Sequence, residues 1–360
     1  MHKPNCTAAV YFVVRKLQFG SAQHRGIQPA FALQQQFGIQ SHVLDCSYYC
    51  GRDKWKRINE RVTQSAKKSI FIHNDVPCEC LHNIQKAFHI LDLMDTLDIT
   101  PKGFDMYIVA TESIKVAVQQ RITTKGLRIP VEVVPYHHSN LLGRKHEHGE
   151  LSRAVDTVLY VGSKPSPGMV ASVRKFLAHK HRQTRFLVIG GNTRRNQAIG
   201  LHRDAIIKSN ISTMWPLSVA YSDGFAVDMS TKGNLAIMWD QCSQYVQKCS
   251  STDSSCRQVQ EQKCLSLKDD SRLLNHLACG LPTVAYGKYQ SSKDLLMNTS
   301  YPLVASTTAE LLLVLDNAIL NATLRVSASE IGLDIARARD ICSTAAIYAK
   351  VVCISSGGRH

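Results

Sequence analysis

Short, wholly apolar runs recur along this chain, and most are followed by a stretch whose apolar residues repeat at helical spacing. In the first half Ala9–Val14 (AVYFVV), Ser41–Leu44, Ser69–His73 (SIFIH), His89–Asp92 (HILD), Asp105–Ala110 (DMYIVA) and Pro130–Pro135 (PVEVVP) read as strands. Thr157–Gly162 (TVLYVG), Arg185–Gly190 (RFLVIG) and Thr283–Ala285 restart the pattern in the second half. Between them lie helical faces. Ile27, Ala30, Leu33 and Phe37 form one, closed by Gly38, and Thr111 with Glu112 caps another. Leu273, Leu274, Leu277 and Ala278 form a third, opened by Asp269, Asp270 and Ser271, closed by Gly280 and stopped by Pro282. Thr307–Leu320 and Ser327–Val352 read as two amphipathic helices with a break near Asn321. Buried strands alternating with helices predict parallel sheets in an α/β protein.

The polar, glycine-punctuated segment Asn140–Glu150 (NLLGRKHEHGE) divides the two runs, so the chain divides into 1–148, 149–326 and a C-terminal helical segment 327–360. Its 360 residues, 44% of them apolar, suffice for two ordinary cores. No apolar run approaches the ~20 residues of a membrane helix. The opening MHKPNCTAAVYFVV leads straight into a strand without a signal-peptide pattern, and a soluble, cytoplasmic protein is expected.

Twelve cysteines lack the C-x-x-C spacing of zinc sites, and Cys78 and Cys80 stand too close for the usual knuckle. In a reducing compartment they are expected as free thiols, including the series Cys242, Cys249, Cys256 and Cys264 in the Gln-, Ser- and Cys-rich stretch Gln241–Lys263. That stretch reads as an inserted polar helix or loop.

Charge changes the picture in one place. The net charge of +15 is concentrated in residues 151–214, with 11 Lys/Arg against 2 Asp/Glu. Such a block suits peripheral contact with an anionic surface or a phosphorylated ligand; a solvated basic face is the plainer reading. Without interleaved aromatics it gives no firm nucleic-acid signal.

Candidate chemistry gathers at strand ends, where open α/β sheets bind ligands. His73 and Asp75 follow the SIFIH strand and are candidates for acid/base work; a turn capped by Asn74 and Asp75 accounts for the same residues without chemistry. Lys268 and Arg272, four apart at a helix start, make a positive pocket suited to a diphosphate, or merely solvate that helix. The first glycine loop lacks G-x-G-x-x-G, which disfavours NAD.

The pattern K-x-x-x-R-L-x-N-x-x-A-x-G-x-P over Lys268–Pro282 resembles the donor-sugar segment of GT-B glycosyltransferases of the retaining group 1 set. GSAQHRGIQPAFAL, from Gly20, resembles their N-terminal opening, and Asp223-Gly224 their D-I-G strand. The resemblance implies two Rossmann-like domains facing a cleft, an acceptor side first and a nucleotide-sugar side second, with the last helix crossing back to the first domain. It implies a nucleotide-diphosphate sugar as co-substrate, no cofactor and no metal, and a carbohydrate, lipid or protein acceptor that the sequence does not name. The donor would meet Gly162, Ser163, Gly190, Lys268, Ser271, Arg272, Asn275 and Asp294. Gly20, Ser21, Arg25 and His137 would line the cleft, with Arg25 on phosphate. Asp294, expected at a loop–helix junction after the final strand, is the substitute for a missing carboxylate. The group's two glutamates, with seven residues between them, align with Leu267 and Asn275, so a catalytically silent ligand- or partner-binding GT-B module is the alternative to an active hexosyltransferase-like enzyme.

Overall fold

The computed structural model describes the chain from Ala8 to Gly357, apart from residues 16, 18–21, 52, 75–76, 95–102, 139, 141–142, 144, 162–166, 190–232, 240–253, 268–269 and 297. It separates into two compact units, residues 1–137 with 339–360, and residues 138–338.

Unit 1 is built on a six-stranded, all-parallel sheet in the order β2-β1-β3-β4-β5-β6. The strands are β1 (Ala8–Val14), β2 (Gln40–Asp45), β3 (Lys68–Asn74), β4 (Ala87–Asp92), β5 (Met106–Val109) and β6 (Val131–Val133). Every residue of β1 is buried, as a central parallel strand covered on both faces requires. Helix α1 (Gln28–Phe37) follows a π-helical turn at Gln23–Ile27. It ends where Gly38 adopts φ 66° and returns its N–H to the carbonyls of Gln34 and Leu33. The connections β2–β3 and β3–β4 carry α2 (Cys46–Cys50), α3 (Trp55–Gln64) and α4 (Glu79–His82), which cover one sheet face with Ile58, Val62, Leu81 and Ile84. Helix α5 (Glu112–Thr124) is capped by Thr111, whose hydroxyl accepts from the Ile114 N–H at 3.2 Å.

Unit 2 carries a five-stranded parallel sheet in the order β11-β10-β9-β7-β8. Its strands are β7 (Thr157–Val161), β8 (Arg185–Ile189), β9 (Leu235–Met238), β10 (Thr283–Tyr286) and β11 (Val304–Ala305). The helices are α6 (His148–Leu151), α7 (Pro167–Lys180), α8 (Ser254–Leu267), α9 (Ser271–Ala278), α10 (Gln290–Leu296), α11 (Thr308–Leu320) and α12 (Ala322–Arg337). Gly280, at φ 64°, turns the chain from α9 into β10; a Cβ there would come within 2.9 Å of the Ser329 Oγ on α12, so the position needs glycine for both reasons.

Two expectations are corrected. The long helix expected over 327–352 is two: α12 ends at Arg337, and α13 (Ile341–Ser355) starts afresh, its N-cap Asp340 accepting from the Ser343 N–H at 2.6 Å. The carboxylate satisfies a free N–H of a new helix start, which the helix-forming Ala336-Arg337-Ala338-Arg339 run conceals in the sequence. Helix α13 belongs to unit 1, where it packs on α1 and β1 and sets Tyr348 edge-on to Phe12 at 5.5 Å. The cysteines differ more. Cys46 is joined to Cys78 and Cys50 to Cys80, and Cys256 and Cys264 are also disulfide-bonded. The sequence conceals the first two bonds because α2 and α4, some thirty residues apart, converge on the same sheet face.

Candidate functional site

In unit 2 the strand order reverses between β7 and β9, and the crevice beyond their carboxyl ends is the ligand position of an open parallel sheet. Three groups meet there. Arg272, in the first turn of α9, reaches over the end of β7 and donates from Nη1 to the Val161 carbonyl at 3.3 Å. Trp239 directly follows β9; it is 2% exposed, and its indole N–H has no hydrogen-bond partner among the described residues. Its ring lies 4.2 Å from that of Tyr286 at the end of β10, which in turn meets Tyr289 edge-on at 4.8 Å. Burial pushes the Tyr286 hydroxyl pKa up, with the Glu261 carboxylate adding to it, so the phenol is neutral. A half-buried guanidinium, a helix start and an aromatic wall with an unsatisfied donor thus share one sheet edge.

The rest of α9 is interior. Leu273, Leu274 and Leu277 are fully buried, and Gly332 of α12 lies so close that a Cβ would meet the Leu277 side chain at 2.8 Å. His276, one turn beyond Arg272, is also buried. Burial first, then the charges of Arg272 and His146, pushes its pKa down to about 3, so the imidazole is neutral and leaves Arg272 the cation of that turn.

Of the donor residues expected from sequence, Ser271 and Arg272 share the α9 start, and Asn275 is buried one turn on at 2% exposure. Asp294 lies elsewhere than expected. It sits inside α10, where its Oδ1 accepts from the Gln290 Nε2 at 2.8 Å, and β11 follows it, so β10 is not the final strand. Gly162, Ser163, Gly190, Lys268 and the Asp223-Gly224 pair lie outside the described residues, as do Gly20, Ser21 and Asp75.

Unit 1 corrects the remaining candidates. Arg25 is wholly buried and meets no exposed phosphate position. Its Nε and Nη2 grip both oxygens of Asp92 at 2.6 and 2.8 Å, and its Nη1 donates to the Val134 carbonyl at 2.6 Å. Burial alone would lower its pKa, but the Asp92 carboxylate outweighs it and holds the guanidinium charged. The ring of Tyr136 lies beneath it at 4.9 Å. His73 is likewise interior. Its Nε2 lies 3.2 Å from the His89 Nδ1, and its Nδ1 accepts from the Cys78 N–H at 3.3 Å. Burial, with the His89 and His82 charges, holds its pKa well below the ordinary value, so it is no proton shuttle at neutral pH. His137 is buried against the Gln28 Oε1 at 2.7 Å.

Sequence reasoning passed over Trp239 and read Asn74 only as a turn cap. Asn74 ends β3 beside β1, where this sheet's strand order reverses, and it is 4% exposed with neither amide atom partnered among the described residues. A Cβ on Gly26 would come within 2.6 Å of Val14 and 3.4 Å of the Asn74 amide, so the turn closes tightly over both strand ends. A short apolar run that ends in one polar residue was the available signal. In the basic block, Lys180 and His181 engage Asp316 at 3.1 and 2.7 Å and Arg185 donates to the Thr157 hydroxyl, so part of that charge is spent inside the fold.

No family model matches the chain, and no curated protein does. Its fold does have solved likenesses. A glycosyltransferase from Rickettsia africae superposes with a TM-score of 0.58 at 10% identity, covering 98% of this chain and 99% of that one. The N-terminal domain of Candida albicans trehalose-6-phosphate phosphatase gives 0.58 at 9%, covering 99% and 98%. OtsA, a trehalose-6-phosphate synthase, gives 0.56 at 11%, covering 96% and 99%. The chain spans only 61% of its match in the GtfA/B complex and 55% of a S. aureus TarM variant solved with UDP and α-GlcNAc-glycerol, both at TM-scores of 0.51. The neighbours are GT-B glycosyltransferases, and two parallel-sheet α/β domains of that class are the fold of this chain.

Proposed function

We propose that the protein transfers a sugar from a nucleotide-diphosphate donor to an acceptor, with the donor held at the carboxyl edge of the unit 2 sheet. The observation that carries this is Arg272, set by α9 over the end of β7. There a guanidinium and a helix start both face the position of a leaving diphosphate. Stabilisation of that charge by fixed donors needs no metal ion, so the transfer is metal-independent. Ser271 adds a hydroxyl from the same helix start, and the Trp239 N–H is a further donor at the same edge. Asn74 and the turn at Gly26 are the acceptor-side candidates in unit 1.

Calorimetric titration of UDP-, GDP- and ADP-sugars into the protein, followed by turnover with the donor that binds, tests the reading. One donor is expected to bind in EDTA and to be turned over in EDTA. Absence of binding across the panel removes the donor site; loss of turnover in EDTA, restored by a divalent ion, removes the metal-independent mechanism.

A second reading rests on Asn275. It occupies an aligned glutamate position and is 2% exposed, so no carboxylate comes from α9 to a bound sugar. Donor binding without transfer or hydrolysis would identify a silent module.

A further inference from the structure

Four cysteines of unit 1, Cys46, Cys50, Cys78 and Cys80, converge more closely than two separate staples require. Cys46 and Cys50, four residues apart, lie on the same side of α2. Cys78 and Cys80 stand at the N-cap and second residue of α4. Besides the bonds Cys46–Cys78 and Cys50–Cys80, the Cys50 sulfur lies 3.2 Å from that of Cys78 and 3.8 Å from that of Cys46. The ligand atoms of Cys46, Cys50 and Cys78 all fall within 4.8 Å of one another, and Cys80 is bonded into the same group.

Three sulfurs at one point, with a fourth bonded to one of them, make the ligand set of a tetrahedral ion. A zinc ion with Zn–S bonds of about 2.3 Å sets its tetrahedral sulfurs about 3.8 Å apart. Between the two disulfides, the Cys46–Cys50 separation of 3.8 Å already has that value, and the Cys50–Cys78 separation of 3.2 Å reaches it by a small spreading of the sulfurs. The surroundings suit a closed structural site. Cys78 is 1% exposed and the other three are half-buried. They pack with Tyr49, Trp55 and Leu81 against the sheet. The scaffold is fixed from both sides: the Asp45 carboxylate accepts from the Tyr48 N–H at the start of α2, and the Cys78 N–H is held by His73.

We infer that the reduced protein binds one zinc ion through Cys46, Cys50, Cys78 and Cys80, and that the two disulfides are the oxidised, metal-free state of the same cluster. Conversion needs an external dithiol. Each protein disulfide takes two electrons and two protons from it, and the dithiol leaves as its own disulfide. The ion then takes four thiolates, and four thiol protons pass to solvent. In either state α2 stays tied to the Cys78–His82 segment, so the site is structural and separate from sugar transfer.

The test uses the full chain, reduced with dithiothreitol and desalted without oxygen. It is alkylated with iodoacetamide with and without one equivalent of zinc chloride, and each cysteine is read by peptide mass spectrometry. Zinc is expected to slow modification of Cys46, Cys50, Cys78 and Cys80 several-fold while Cys342, which is exposed, reacts at the same rate. Equal modification of the four with and without zinc overturns the inference, as does protection confined to the Cys242–Cys264 series. Cobalt offers a second reading on the unmutated protein. Intense thiolate-to-cobalt charge-transfer bands that the Cys50→Ser/Cys80→Ser variant lacks support the site, and bands unchanged in that variant overturn it.

Discussion

Each unit places an arginine near the carboxyl end of its first strand, and the two arginines do opposite things. Arg25 is sealed: both oxygens of Asp92 and the Val134 carbonyl take its donors, and no part of the pair is exposed. Arg272 is half-buried, and its Nη1 donates to the Val161 carbonyl at 3.3 Å, longer than any of the three nearest contacts of Arg25. The difference lies in what the surrounding chain supplies. In unit 1, β4 delivers a carboxylate exactly where the guanidinium arrives. In unit 2 the Arg272 guanidinium takes a strand-end carbonyl and keeps partial exposure, and the neighbouring His276 is held neutral by burial. An arginine beside a strand end is sealed or left partly open by what the chain brings to it, in unit 1 a residue 67 positions away.

The comparison breaks most sharply at Asp92. Asp92→Ala leaves a buried guanidinium uncompensated and should lower the stability of the protein by about 3–5 kcal/mol in urea denaturation, whereas Arg25→Met/Asp92→Leu should recover much of that loss. Arg272→Ala should do the reverse. It should weaken donor binding in calorimetry by about 1.5–3 kcal/mol, the worth of a hydrogen bond to a charged group, and leave the urea midpoint unchanged. An equal loss of stability in the two variants would end the distinction between them.

Acid loads both units in the same direction, and His276 isolates the share of unit 2. The folded His276 binds a proton only near pH 3, while the unfolded chain binds one near the ordinary pH of ~6.5, so between these values the unfolded state holds the extra proton. Stability contributed by the neutral imidazole is complete above pH 6.5 and falls on acidification at up to about 1.4 kcal/mol per pH unit. His276→Gln should flatten the pH dependence of the urea midpoint between pH 6.5 and 5 by that slope, while His73 and His89 continue to supply the same sign of dependence from unit 1. The smallest effect is expected at Asp340→Ala, where loss of the N-cap should cost about 1 kcal/mol and show as faster amide exchange confined to α13 and its contacts.

Local chemistry made much of the architecture legible in sequence. Buried strands stand out because both faces of a parallel sheet are covered, as in AVYFVV and TVLYVG, and Gly38, Thr111 and Gly280 mark helix ends through one-residue effects. What stayed hidden depends on residues brought together over long separations. Asp92 meets Arg25 across 67 positions, His89 meets His73 across 16, and the two disulfides close loops of 32 and 30. Strand β11, two residues long, carries too little periodicity to register. At the α12–α13 break, every residue but Asp340 favours a continuing helix.

Helix α13 changes the order in which the molecule can be completed during synthesis. The ribosome releases residues 8–137 first, yet the surface of β1 and α1 that Tyr348, Val351 and Val352 fill waits until residues 341–355 emerge, after all of unit 2. The half made first is thus finished last, and through that interval its core lies open along one side. A nascent-chain binder that shields apolar surface has its longest-lived target on unit 1, and a stop codon just before residue 341 strips residues 8–137, not unit 2, of the last piece of their core.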